Sequence, residues 1–254
     1  MQVQALPPAL KMLELNKIYC GDCLEIMKKI DDKSINMILC DLPYGTTRCK
    51  WDIIIPFDNL WAEYNRIIKD DGVICLFGVG LFFSKLCLSN EYNFRYELIW
   101  EKERPTNIFF MKKQFGKVHE NIAVFYKHQP TYNPIMENRK FNTIGVGNLK
   151  HSKTHDNQNY KYSEDYDKTK VYPRSVIKIN RDTLRGALHP TQKPVLLCEY
   201  LIKTYTNEKD LILDNCAGSG TTGVACKNIN RNYILIEKEK EYCQLAEKRI
   251  KGEI

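Results

Sequence analysis

Two short stretches of the 254-residue chain concentrate groups that can do chemistry. The first is Asp41-Leu42-Pro43-Tyr44-Gly45, directly after the apolar run Ile35 to Cys40. A carboxylate, a turn-setting proline, an aromatic ring and a glycine therefore stand together at one point. Asp41 can accept two hydrogen bonds, and the Leu42 carbonyl can accept another. Tyr44 offers a flat face to a planar ligand. The set suits an exocyclic amino group on an aromatic ring, with acceptors gripping its N–H groups while the ring stacks. An Asp-capped turn with a tyrosine packed into the core accounts for the same residues.

The second stretch runs Asp214-Asn215-Cys216-Ala217-Gly218-Ser219-Gly220-Thr221-Thr222-Gly223. Its glycines permit a tight turn and close approach to a ligand, and a helix opening at Thr221 would favour an anion. Three ligands compete for such a loop. A nucleoside triphosphate requires G-x-x-x-x-G-K-[ST], and the lysine is missing. Gly218, Gly220 and Gly223 fit the dinucleotide pattern G-x-G-x-x-G, but no second half-domain is present to hold a nicotinamide. The third ligand is a nucleoside with a short anionic tail, for which Glu237, 17 residues after Gly220, stands ready to bind ribose hydroxyls.

Continuous apolar runs supply the strands that must carry these loops: Ile35–Cys40, Val73–Phe77, Glu97–Trp100, Ile122–Tyr126, Leu211–Asp214 and Tyr233–Ile236. Runs of four to six apolar residues describe strands buried on both faces. Phe57, Leu60, Trp61, Tyr64, Ile67 and Ile68 mark one helix face, and Val195, Leu196, Leu201 and Ile202 a second. Two more helices are expected at Leu24–Lys29 and Tyr242–Ile250. Alternating strands and helices predict an α/β fold, a Rossmann-like, mostly parallel sheet with helices on both faces, binding ligands at the carboxyl ends of its strands.

At 43% hydrophobic the chain can build a core, and no apolar run nears the ~20 residues of a membrane-spanning helix. Met1 to Leu15 does not read as a signal peptide, so a cytoplasmic protein is expected. The ten cysteines then read as free thiols, and Cys20-x-x-Cys23 has no second pair for zinc. His151 and His155 read as solvated loop residues. No metal site is expected.

Residues 128–188 carry 11 basic and 6 acidic side chains and hold most of the net charge of +7. Eighteen of these 61 residues are hydrophobic, five of them tyrosines, so the segment reads as an insertion, not as core. Phosphate contacts through Lys150, Lys153, Lys161, Lys168 and Lys170 suit it, and so does a solvated surface loop. A shorter stretch, Asn107 to Lys113, is a second place for nucleic acid to touch, with Phe109 and Phe110 expected to anchor in the core.

Taken together, the motifs resemble those of the S-adenosylmethionine-dependent DNA amino-methyltransferases, in the permuted order that places the catalytic segment before the cofactor segment. Asp41-Leu42-Pro43-Tyr44 is similar to that family's D-P-P-Y, and His189-Pro190-Thr191-Gln192-Lys193-Pro194 to its H-P-T-Q-K-P. Asp214 to Thr222 is similar to D-x-F-x-G-S-G-T-T, and Gly21-Asp22-Cys23-Leu24 to a G-D segment whose aspartate lies near the cofactor's adenine. The resemblance covers nearly the whole chain. It implies a class I methyltransferase core from 1–127 and 189–254, with 128–188 as an inserted target-recognition region.

The resemblance makes Asp41, Leu42, Pro43 and Tyr44 catalytic, the Tyr44 ring stacking on a flipped base and its hydroxyl dispensable. It assigns S-adenosylmethionine to Asp22, His189, Thr191, Lys193, Asp214, Cys216, Gly218, Ser219, Gly220, Thr221 and Glu237. Thr191, Lys193 and the helix after Gly220 would receive the cofactor's carboxylate, and a side chain at Gly220 would fill the space where backbone meets ligand. Leu42 replaces a proline whose carbonyl alone matters, and Cys216 replaces a phenylalanine that packs on the cofactor. Double-stranded DNA is the implied partner, with a homodimer and a separate restriction endonuclease as further candidates, in a bacterial or phage-encoded setting. Adenine N6 is favoured because aspartate at the first motif position goes more often with adenine and serine with cytosine N4. Two rivals are a decayed DNA-binding scaffold and protein-glutamine methylation through an N-P-P-Y motif, the latter with the opposite motif order.

Overall fold

The computed structural model describes residues 13–47, 49, 52–139, 167, 169–182 and 192–254. His151, His155, His189, Thr191 and the lysines at 150, 153, 161 and 168 lie outside them. In chain order the elements are β1 (Lys17–Cys20), α1 (Cys23–Met27), β2 (Ile35–Cys40), α2 (Phe57–Ile67), β3 (Ile68–Gly78) and α3 (Gly80–Leu88). Then come β4 (Phe94–Glu101), β5 (His119–Phe125), β6 (Glu137–Asn138), β7 (Lys170–Val171) and β8 (Val176–Lys178). The last are α4 (Val195–Tyr205), β9 (Leu211–Asp214), α5 (Thr221–Asn228), β10 (Asn232–Glu237) and α6 (Lys240–Lys251).

Eight strands form one sheet in the order β1-β10-β9-β2-β3-β5-β4-β8. All pairings are parallel except those of β5, which runs against both β3 and β4. Within each strand alternate residues serve opposite faces, as the pleat requires. Ile38 and Cys40 join a cluster with Met27, Leu60, Tyr64 and Leu86 of α1, α2 and α3. Met37 and Leu39 join a second with Leu201, Ile202 and Cys226 of α4 and α5. The expected mostly parallel sheet covered on both faces is what the chain forms.

Some details depart from the sequence reading. The strand β1 and the helix α3 were not foreseen: β1 is four residues long and exposed at both ends, and α3 is apolar around most of its circumference. In α4 the buried face is Leu197, Cys198, Leu201, Ile202 and Tyr205, while Leu196 is exposed. The rings of Phe109 and Phe110 are exposed and do not anchor in the core. All ten cysteines are free. No helix among the described residues is long and apolar enough to cross a membrane.

The chain divides into two compact units, one of Met1–Asn133 with Ser175–Ile254 and one of Pro134–Arg174. The second is narrower than the insertion read from composition. Its described part holds the antiparallel pair β6 and β7. Residues 175–182, counted with the insertion on charge, return to the core because β8 pairs with β4 and Ile177 is buried. The Trp100 indole then donates to the Ile179 carbonyl at 2.7 Å.

Arg66, at the end of α2, ties that helix to the segment after α1. Its guanidinium donates to the carbonyls of Met27 (2.8 Å) and Ile30 (2.7 Å) and to Asp32 and Glu63. Bonds from a charged donor contribute more than neutral ones, and carbonyls left without a donor incur a desolvation cost. Arg66→Met should lower stability by about 2–3 kcal/mol, read as a lower denaturant midpoint with an unchanged slope.

Candidate active site

Because β5 is antiparallel, its first residues reach the same sheet edge as the last residues of its parallel neighbours. Along that edge stand Asp22 after β1, Glu237 ending β10, Asp214 ending β9, Asp41 after β2, Glu120 near the start of β5 and Lys102 after β4. All six line one cleft of about 510 Å³. Its size falls within the range of small-molecule and cofactor sites.

The Asp41–Tyr44 segment leaves β2 at the middle of the cleft. The Tyr44 ring is half-buried against Phe82, centroids 4.7 Å apart, so one face is packed and the site combines both readings of the motif. Its hydroxyl donates to Asp41 at 2.5 Å, a contact that the sequence reading, which gave the role to the ring, did not include. Burial pushes the Asp41 carboxyl above the ordinary aspartate value, against the opposing pull of Lys193. The turn after Tyr44 is held by Asp52, whose carboxylate accepts from the backbone N–H groups of Gly45 (2.8 Å), Thr46 (2.9 Å) and Thr47 (2.6 Å). Burial alone would raise the Asp52 pKa, but these bonds hold it below the usual value.

Lys193, which the resemblance groups with Thr191 and the helix after Gly220 as receiving the cofactor's carboxylate, is paired here with two carboxylates of the chain itself. Its ammonium is buried, paired with Asp41 and with a Glu120 carboxylate oxygen 3.3 Å away, and lies 4.9 Å from the Phe77 ring centroid. Glu120 is also bonded to Lys102. A lysine with this burial is stable only beside carboxylates, so its charge is committed to the middle of the cleft. Burial opposes its charge, yet Asp41 and Glu120 together drive its pKa upward, while burial takes Lys102 downward. Glu120, Lys102 and Asp52 were all missed from sequence. Each lies outside a motif, and Glu120 and Lys102 reach the site only through strand pairing.

At the other end of the cleft, acceptors organise the glycine loop. Asp214 is buried, which pushes it up to about 6 despite bonds from the Thr222 hydroxyl (2.6 Å) and the Cys216 amide (3.1 Å). Glu237 accepts from the amides of Gly218 (2.7 Å) and Glu239 (2.8 Å), leaving further lone pairs on each oxygen. Asp22 caps α1 by accepting from the Leu24 amide at 2.9 Å while remaining exposed at the cleft. Cys216 lines the cleft, its sulfur accepting from the Asn215 side-chain amide at 3.6 Å. The Arg249 guanidinium fixes both Ser219 (3.0 Å to the hydroxyl) and Thr221 (2.8 Å).

Gly220 needs correction. It adopts a φ of +76°, and a Cβ there would stand 2.7 Å from the Ala246 Cβ of α6. A side chain there would be directed at α6 and not into the cleft, so the packing of that helix requires the glycine. Asp22, Gly218, Cys216 and Glu237 still offer a cradle of carboxylates and backbone suited to a nucleoside with a polar tail, the chemistry of S-adenosylmethionine.

Residues 35–248 match a family of N6 and N4 methyltransferases described as DNA methylase. The chain is 28% identical to the type II methyltransferase M2.MboI of Moraxella bovis, over 91% of this chain and 86% of that one. It is also 28% identical to the type II methyltransferase M.HinfI of Haemophilus influenzae, over 93% and 68%. Among solved structures, the M1.HpyAVI complex with S-adenosylmethionine shares 27% identity at a TM-score of 0.61, covering 92% of this chain and 98% of that one. The cytosine-N4-specific PvuII DNA methyltransferase shares the fold at a TM-score of 0.68, with 16% identity over 94% and 87% of the two chains.

Two measurements check this geometry. With Lys193→Met, the Asp41 carboxyl followed by carbon NMR should titrate about 1–3 pH units higher, because the opposite charge that favours ionisation is gone. Gly220→Ala should lower stability by about 1–3 kcal/mol through backbone strain, while S-adenosylmethionine affinity of the folded protein, read by calorimetry, stays close to wild type.

Proposed function

The chain belongs to the N6/N4 DNA methylase family and is an S-adenosylmethionine-dependent DNA amino-methyltransferase, and on that premise we propose that it methylates the N6 of an adenine flipped out of a specific duplex sequence. The observation that carries the reading is Asp41 and Tyr44 leaving β2 in the same cleft as the glycine loop and Glu237. Aspartate at this motif position, by the resemblance drawn from sequence, supports adenine over cytosine.

An exocyclic amine in a duplex is stacked out of reach, so the base must be extruded at a cost of ~a few kcal/mol. The free face of Tyr44 returns ~1–3 kcal/mol by stacking. Asp41 and the Leu42 carbonyl accept the two amine hydrogens, turning the nitrogen lone pair out of conjugation. S-adenosylmethionine, held by Asp22, the glycine loop and Glu237, supplies an electrophilic methyl group. Positive charge then grows on the nitrogen beside the Asp41 carboxylate, which Tyr44 and Lys193 fix in place. Pre-oriented charge of this kind is a large source of acceleration. Asp41 also takes the proton that the methylated amine sheds, a task that does not require a strong base. The region 128–188 supplies sequence recognition in this reading, and a separate endonuclease would read the same site.

Asp41→Ala should cut methyl transfer by ~10²–10³-fold or more with S-adenosylmethionine affinity retained. Residual turnover above a few per cent of wild type would remove Asp41 from the reaction. Tyr44→Phe should lower turnover in part, because it removes the hydroxyl on Asp41 but keeps the ring. The base is tested by digesting DNA from an expressing host to nucleosides and weighing them. N6-methyladenine is expected, and N4-methylcytosine in its place would reverse the assignment.

A further inference from the structure

The turn joining β4 to β5 presents its apolar side chains outward. Phe109 and Phe115 are each 99% exposed, and Ile108, Phe110 and Met111 are exposed beside them. Exposed apolar clusters of this kind mark interaction sites. The turn is nevertheless well formed. Asn107 accepts from the Lys117 amide at 2.6 Å and donates to the Phe115 carbonyl at 3.1 Å, and Ile108–Phe110 makes a turn of 3₁₀ helix. The Thr106 amide donates to the Lys117 carbonyl at 3.0 Å, and the Lys102 amide to the Val118 carbonyl at 2.7 Å. The rings are thus held out in advance, which reduces the ordering cost of any contact they make.

Two further facts name the partner. From 104 to 118 the chain carries Arg104, Lys112, Lys113 and Lys117 and no acidic residue, all four cations being exposed. The base of the turn also lines the target end of the cleft, through Lys102, Thr106 and Glu120. Aromatic tips among cations, rooted beside the pocket for an extruded base, match the duplex from which that base came. We propose that this turn is a DNA wedge: Phe109 and Phe115 enter the stack where the target base has left, and the four cations take the flanking phosphates. Apolar side chains inserted between base steps recover part of the lost stacking and hold the duplex open. The proposal rests on the base-flipping reading above and adds the element that keeps the vacated site from reclosing.

The test compares Phe109→Ala/Phe115→Ala with wild type on a duplex oligonucleotide carrying the sequence found modified in host DNA, and on its target strand alone. The double variant should lose about tenfold or more in kcat/KM on the duplex. It should lose less than about twofold on the single strand, where no base must be extruded. Melting temperature should be unchanged, since both rings are exposed. Phe109→Trp/Phe115→Trp, which keeps flat rings, should retain most of the duplex rate. Equal losses on both substrates, or an unchanged duplex rate, would overturn the wedge. So would an altered sedimentation coefficient with unchanged duplex methylation, which would assign the turn to a protein contact. If wild type methylated neither substrate, the base-flipping reading itself would fail, and the wedge with it.

Discussion

Lys193 carries its ammonium into a corner where Asp41 and Glu120 face it and Lys102 stands beyond, four formal charges sharing one edge of the sheet. Two negative and two positive groups balance there, and that balance is a condition of burying any of them. Each ion alone would cost several kcal/mol to desolvate. At 4 Å an opposite charge returns about 4 kcal/mol at the effective dielectric of a protein surface, and each member here has at least one such partner. The four come from the ends of β2, β4 and β5 and the segment before α4, so the pairing fixes how those elements meet. It also sets the charge of Lys193 against the burial that raises the Asp41 carboxyl.

The two ends of the cleft are organised by different means. Around Asp214 and Glu237, carboxylates gather backbone amides and a hydroxyl, which sets the course of the loop. Around Asp41, carboxylates gather side-chain cations and a phenol. Backbone amides form a rigid seat, suited to a ligand of constant shape. Side-chain partners can share their lone pairs and protons with an arriving amine without moving the chain. Asp52 supplies the backbone anchoring on the catalytic side, one turn away from the chemistry.

How much could be read in advance followed from how local each signal was. The runs ending at Cys40, Asp214 and Ile236 became strands because continuous apolar residues have few other places to go, and Asp41–Tyr44 and Asp214–Thr222 were visible as contiguous motifs. Glu120 was invisible because only the reversal of β5 brings the start of a strand to this edge, and Lys102 because nothing local marks the end of β4 as facing the cleft. Phe109 and Phe110 were misplaced because composition records that a side chain is apolar, not whether the chain around it turns inward. Gly220 was found for the wrong reason: a glycine needed against α6 and one needed against a ligand leave the same letter in the sequence. Lys193 was visible as part of a motif, but its pairing with Asp41 and Glu120 was not.

The register of the sheet bears on when the protein can first work. Ile38 of β2 lies against Leu213 of β9, and Lys17 of β1 against Ile234 of β10. Pairings this remote in sequence make for slow folding, and domains emerging from the ribosome assemble from their earlier segments first. Asp41 and Tyr44 thus leave the ribosome some 170 residues before the loop at Asp214, with an interior strand position still open beside β2. A nascent chain would hold β2 paired with β3 on one side and open on the other until β9 is translated, the interval in which a chaperone that shields strand edges has most to do.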